Sequence, residues 1–207
     1  FCLDAAGSYL MRYDLTQIES WIPEGSRVLD LGCGDGAFLN RLQETRRVQG
    51  MGLELDPDNL IAATQRGIDI VQQDMDQGLS NFPEDSFEIV VLAHALQVLH
   101  RPDKVLQDMV RIGREAIVTF PNFGHWRCRL HLGLNGRMPV SKDLPFHWYD
   151  TPNIHFCTVK DFEALCSNLN IAIMDRDIVS GPTTALFKQW LPNLFGSTAI
   201  FRIKACD

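Results

Sequence analysis

Short apolar runs recur along the chain, and the polar residues that end them fall at the spacing of strand-helix-strand units, about two dozen residues apart. Val28-Leu29-Asp30-Leu31 stops in Gly32-Cys33-Gly34-Asp35-Gly36, Gln49-Gly50-Met51-Gly52-Leu53 stops at Glu54, and Ile68-Asp69-Ile70-Val71 stops at Gln72. Phe87-Glu88-Ile89-Val90-Val91-Leu92-Ala93 is too continuously apolar for a half-exposed strand and fits a central parallel strand covered on both faces. A further strand is predicted to end near Phe120. Helices are predicted between the strands, around residues 37–45, 57–66 and 102–110, after an entry segment that includes residues 15–22. The alternation predicts a doubly wound, mostly parallel α/β sheet. Residues 171–179 and 198–203 supply two more strand candidates, joined by a Gly/Pro-containing turn and Trp190-Leu191-Pro192, that fit a closing antiparallel pair.

Residues 121–157 are a segment the sheet does not need, and such insertions in a compact chain are usually functional covers or partner surfaces. Trp126, Cys128, Leu130, Leu132 and Leu134 alternate with Arg127, Arg129 and His131 as a strand would, yet Trp126, Leu130 and Leu134 also form an i, i+4, i+8 stripe. Helix is the favoured reading. The aromatic and imidazole-rich stretch from His147-Trp148-Tyr149 to His155-Phe156 has its course fixed by prolines and fits a lid over a pocket.

The glycine-alternating turn carries the first chemistry. Its glycines let the backbone take positive φ and approach a ligand, and the helix expected after Gly36 offers unpaired N–H groups. Gly32-Cys33-Gly34-Asp35-Gly36-Ala37 also fits the relaxed dinucleotide fingerprint. Asp30 and Asp35 argue against that, because a pyrophosphate would meet negative charge. A sulfonium nucleoside with an α-ammonium reverses the sign: Asp30 is the expected ammonium acceptor and Glu54 the expected ribose ligand. Leu55 would flank the adenine, Asp74 would accept from its amino group, and Met75 would pack on the ring. Asp56-Pro57 fits an N-cap with proline in the first turn. Each acid alone is more often a solvated helix cap, and Asp76 is read as a solvated loop residue. The loop and the acids ending two further strands, in order and at βαβ spacing, point together to S-adenosyl-L-methionine or S-adenosyl-L-homocysteine.

With 207 residues, 45% hydrophobic and 22% charged, the chain can bury one substantial core, and a single domain over residues 1–207 is expected. A formal net charge of −7 disfavours broad nucleic-acid binding. One basic island stands out, with Arg127, Arg129, Arg137 and Lys142 and, among them, His125 and His131. No run reaches membrane-spanning length and no secretion signal is visible, which together predict a cytoplasmic protein without membrane contact. The chain begins at Phe1 instead of Met, so a short missing leader is an expectation. Cys2, Cys33, Cys128, Cys157, Cys166 and Cys206 form no CxxC pair and are read as reduced thiols, and no metal spacing is seen.

Pro121-Asn122-Phe123-Gly124-His125-Trp126-Arg127, Gly136-Arg137-Met138-Pro139-Val140 and the run from Trp148-Tyr149-Asp150-Thr151-Pro152 to Cys157-Thr158 are far more selective than the glycine loop. They resemble the MetW family, methionine-biosynthesis proteins of bacteria, over nearly the whole chain. The resemblance implies a seven-stranded class I methyltransferase-like (Rossmann-like) fold and a role beside homoserine O-acyltransferase. Two functions are compatible with it. One is an accessory, regulatory subunit that holds S-adenosylmethionine and docks through the surface from Arg127 to His155. The other is an active small-molecule methyltransferase, in which alignment and exclusion of water carry much of the catalysis. His94 and His125, following the fourth and fifth strands, are then the candidate bases, against structural readings as a strand closure or helix cap and as part of a partner surface. Arg127 and Arg129 would clamp a carboxylate or lie on a solvated helix face. Trp148, Tyr149 and Phe156 are read as core or lid packing ahead of acceptor recognition.

Overall fold

Side chains alternate across the central strands, and the alternation builds two cores. Leu29, Leu31, Val90, Leu92, Val118, Phe120 and Phe201 pack on one side of the sheet, and Val28, Ile89, Val91, Ile117 and Ile200 on the other. The computed structural model describes residues 7–141, 144–179 and 190–206, with side chains from Asp14 onward. Cys2, Lys142 and the Gly181-Pro182 turn lie outside the described residues.

The chain opens with helix α1 (Gly7–Trp21) and then alternates β1 (Arg27–Leu31), α2 (Ala37–Arg46), β2 (Gln49–Glu54), α3 (Pro57–Gln65) and β3 (Asp69–Gln72). It continues through β4 (Phe87–Ala93), α4 (Pro102–Ile112) and β5 (Gly113–Pro121) into the excursion that holds α5 (Trp126–Asn135). Helices α6 (Val159–Asn168) and α7 (Pro192–Phe195) flank β6 (Ile171–Val179), and β7 (Thr198–Ala205) comes last. The strands form one seven-stranded sheet in the order β3-β2-β1-β4-β5-β7-β6. The pairs from β3 to β5 are parallel, while β7 runs antiparallel to both β5 and β6. Residues of α1, α2 and α3 enter one core and those of α4 and α6 the other, which makes the sheet doubly wound.

Local signals explain most boundaries. Asp56 caps α3, its Oδ1 accepting the N–H groups of Asp58 (2.8 Å) and Asn59 (3.2 Å), with Pro57 in the first turn. The stripe of Trp126, Leu130 and Leu134 does form a helix, α5, but only Cys128 of it is buried. Helix α6 has no counterpart among the sequence-based expectations. Its signal is a capping box in which Thr158 Oγ1 accepts from Asp161 N–H and Asp161 Oδ2 accepts from Thr158 N–H. Phe162, from this helix, meets Phe120 and Phe201 with ring centroids 5.0 and 4.6 Å away.

A single side chain gathers the excursion's two ends. Buried Asn122 Oδ1 accepts Gly124 N–H (3.0 Å) and Val159 N–H (3.2 Å), while Nδ2 donates to the carbonyls of Asn193 (3.1 Å) and Gly196 (2.8 Å). Trp148 and Tyr149 are 73% and 69% exposed, which corrects the reading of them as core packing. Phe156 is itself 42% exposed, though its ring lies 5.0 Å from that of Phe123.

Candidate functional site

The strand order reverses between β1 and β4, and in an open α/β sheet that reversal leaves a crevice at the carboxyl ends. The turns after β1, β2, β3 and β4 converge there. Gly32, Gly34 and Gly36 all lie in the left-handed region, with φ of +74°, +57° and +74°. A Cβ at Gly36 would stand 3.0 Å from Ile68 Cγ1 and 3.1 Å from Ala63 Cβ, so the loop is seated against the α3–β3 corner. One at Gly32 would meet Met75 Cε at 3.3 Å and Ala95 Cβ at 3.7 Å. At Gly34 it would face open space.

Two carboxyl groups flank this loop. Asp30 is 3% exposed, and burial, then the charge of Glu54, push its pKa up to about 7. Among the described residues no hydrogen bond reaches its carboxyl group, and a buried acid without a donor is costly. An ammonium is a group that would satisfy it. Glu54 is held by backbone: Oε2 accepts Gly34 N–H at 2.9 Å, and Oε1 accepts Leu55 N–H and Asp56 N–H at 2.8 and 2.9 Å. Its oxygens are fixed yet keep lone pairs for hydroxyl donors. Leu55 beside it is 56% exposed.

Other acids of this edge are engaged within the fold. Asp74 caps a short 3-10 turn, Oδ1 accepting from Asp76 N–H (3.0 Å) and Oδ2 from Gln77 Nε2 (3.4 Å), while Met75 reaches the glycine loop. Asp35 pairs with Arg66 at 2.6 Å, tying the loop to the end of α3. The reading of Asp76 as a solvated loop residue is corrected, because its carboxylate accepts the N–H groups of His100 and Arg101 at 2.9 and 3.0 Å. Burial alone would raise its pKa, but these backbone bonds and the His100 ring outweigh it and hold the acid below its usual range.

The two candidate bases are separated by their surroundings. His94 has φ +55°, and its N–H donates to both Thr119 O and Thr119 Oγ1 at 3.1 Å. Its ring Nε2 lies 3.1 Å from Asp14 Oδ2. His125 instead caps α5, its Nδ1 accepting Arg127 N–H at 3.4 Å, and burial together with the Arg127 charge lowers its pKa.

The set from 127 to 155 sits apart on the excursion. Arg127 lies over the Trp126 ring, 5.4 Å from its centroid, whereas Arg129 Nε donates to Gly124 O at the base of its own helix. His155 is joined to the sheet edge, since Gln97 O accepts both Ile154 N–H (2.8 Å) and His155 N–H (3.1 Å). Sequence reasoning missed Asp14, Thr119, Asn122 and Gln97. Each is buried and polar, and only Asn122, inside the selective Pro121 to Arg127 string, stood in a motif that could have drawn attention. Among the described residues no group of three His, Cys, Asp or Glu is placed to hold a metal ion, and no helix is long and apolar enough to cross a membrane.

The sheet order and its reversal are those of a Rossmann-like, class I methyltransferase fold. An S-adenosylmethionine-dependent methyltransferase from Mesorhizobium loti superposes with a TM-score of 0.66 at 17% identity, covering 91% of this chain and 95% of that one. Magnesium protoporphyrin IX methyltransferase from Synechocystis, whose structure carries bound S-adenosylhomocysteine, gives 0.66 at 13% identity, covering 96% and 84%. The chain belongs to the MetW family: residues 12–203 match the family model for methionine biosynthesis protein MetW. It is 38% identical over 202 residues to the bifunctional methionine biosynthesis protein MetXA/MetW of Rhodopirellula baltica, an alignment covering 92% of this chain and 32% of that protein. Across the curated relatives it matches, the chain spans 32% to 53% of their length.

Proposed function

We propose that this chain binds S-adenosylmethionine, or its demethylated product S-adenosylhomocysteine, and acts as an accessory subunit of homoserine O-acyltransferase in the cytoplasm. The observation that carries the reading is Asp30, a buried carboxyl group with no donor among the described residues, next to a glycine loop and a backbone-held Glu54. Asp30 would hold the α-ammonium and Glu54 the ribose hydroxyls, while Gly34 leaves room for close approach. Leu55, Asp74 and Met75 would border the adenine. Bound there, the nucleoside supplies a transferable methyl group or reports methionine supply.

The partner surface in this reading is the excursion at 121–157, on what we take to be a single methyltransferase-like domain. It exposes Leu134, Trp148 and Tyr149 to 76%, 73% and 69%, and large exposed apolar groups of this kind mark interaction sites. The Rhodopirellula relative carries the MetXA and MetW names in one polypeptide, which supports an acyltransferase as the partner. Through this contact the nucleoside can shift the partner only by as much as it binds the two partner states differently.

The test is acyltransferase activity with and without this chain across a range of S-adenosylmethionine concentrations. Activity is expected to depend on the nucleoside only when the chain is present. Identical curves would reject the accessory role.

A further inference from the structure

Asp14 and His94 meet across 80 residues of sequence, and both carry a local penalty. Asp14 is 1% exposed, with Oδ1 lacking a hydrogen-bond partner among the described residues. His94 takes a left-handed conformation that few side-chain-bearing residues adopt, and Thr119 holds it there from both its carbonyl and its hydroxyl. Neither feature favours stability, and such violations are kept where function requires them. The place is specific. Ala95, the next residue, packs toward Gly32 of the glycine loop, and the β1–β4 register sets Asp30 opposite Val91, on the strand that leads into His94.

We propose that His94, oriented by Asp14, accepts the proton when a small primary amine is methylated at this edge. The activity goes beyond the accessory role and rests on the nucleoside site proposed above. With Asp30 and Glu54 taken by the nucleoside, Asp14 beside His94 gives this edge an acid that the nucleoside does not use, which draws an ammonium and repels carboxylate, thiolate or phenolate acceptors. An ammonium has no lone pair, so a base is needed before it can attack. The R–NH3+ group gives one proton to His94 Nδ1, while the Nε2–H stays on Asp14. The neutral nitrogen then attacks the methyl carbon of the sulfonium. The N–C bond forms as the C–S bond breaks, the bonding pair goes to sulfur, and the products are the thioether and R–NH2+–CH3. His94 releases its proton to water. His125 is unsuited to this step because its Nδ1 is occupied at the start of α5.

The test has two arms. In the protein alone, nitrogen-detected NMR of the histidine rings should find the His94 proton on Nε2, with that preference lost in Asp14→Asn and regained in Asp14→Glu. With the methyl donor, ethanolamine and propylamine should yield S-adenosylhomocysteine, and 2-mercaptoethanol should not. His94→Gln should lower that rate about a hundredfold, while calorimetry shows nucleoside binding unchanged. The proposal fails if the Asp14→Asn ring is indistinguishable from wild type, if neither amine is methylated, if the thiol is preferred, or if His94→Gln turns over normally. Normal nucleoside binding with no turnover would sink this activity and leave the accessory reading standing. Loss of nucleoside binding in the wild-type chain would sink both.

Discussion

Gly34 N–H donates to Glu54 Oε2 at 2.9 Å, so the glycine loop after β1 and the acid ending β2 form one unit. The same carboxylate also closes on Leu55 and Asp56, which fixes it before any ligand arrives. Glu54→Gln keeps the shape but loses the charge and one acceptor oxygen. Affinity for S-adenosylmethionine, measured by calorimetry, is expected to fall about tenfold to a hundredfold, the scale of a hydrogen bond to a charged group. Unchanged affinity would reject Glu54 as the ribose ligand.

Asp30 makes binding depend on pH. Its pKa is pushed up to about 7, and an ammonium is held by the ionised form. Affinity should therefore fall toward one decade per unit as pH drops below about 7, as a proton must first leave. Asp30→Asn should bind weakly at every pH, without that slope. Stability follows the opposite sense. Between the ordinary value of 3.8 and about 7 the folded chain holds a proton that the unfolded chain has lost, so stability declines as pH rises through that window. Asp30→Asn should accordingly melt higher than wild type at pH 8 and no higher at pH 4. The gain has a ceiling of about 4 kcal/mol, at about 1.4 kcal/mol per unit.

Two glycines of one loop should respond differently to alanine. Gly36→Ala meets Ile68 and Ala63 at 3.0 and 3.1 Å as well as an unfavourable φ, whereas Gly34→Ala meets only the φ. Thermal melting should register a loss of about 1 kcal/mol for Gly34→Ala and a distinctly larger one for Gly36→Ala, where overpacking adds about 1–3 kcal/mol. Nucleoside affinity should suffer in Gly34→Ala despite its milder melting shift, because its new methyl group occupies the open face.

Much of this edge was readable because it rests on local chemistry. The glycine loop, Asp56-Pro57 and the Phe87 to Ala93 run each carry their own signal, and the strands and the helix start they predict are present. The hidden part depends on partners distant in sequence. Asp14 sits in a polar-looking helix and gains meaning only against His94, and Arg129 looks like a free cation until Gly124 O accepts from it. Asp76 looks solvated until His100 and Arg101, just before α4, supply its donors. Helix α6 had a readable capping box, obscured by the aromatic stretch before it.

Leu134 and Trp148 can be changed without touching a core. Leu134→Glu and Trp148→Glu are expected to leave stability, read from thermal melting, within about 0.5 kcal/mol of wild type, as exposed sites do. They should each weaken co-purification with homoserine O-acyltransferase. Arg127→Glu tests the basic contribution more cleanly than a change at Arg129, whose side chain braces the Gly124 loop. Full retention of the complex in all three variants would remove the excursion as the docking face.

Asn122 gathers the neck of that excursion, with both ends and the α7 turn converging on one amide, and Phe123 N–H donating to Cys157 O closes it beside the amide. The stretch beyond the neck, up to the Ile154 and His155 bonds to Gln97, is therefore an exchangeable cassette. A relative could lengthen it, shorten it or refit it for another companion protein without disturbing the strands beneath, provided the asparagine stays. Engineers seeking to graft a new recognition module onto this scaffold have their splice points marked by the same residue.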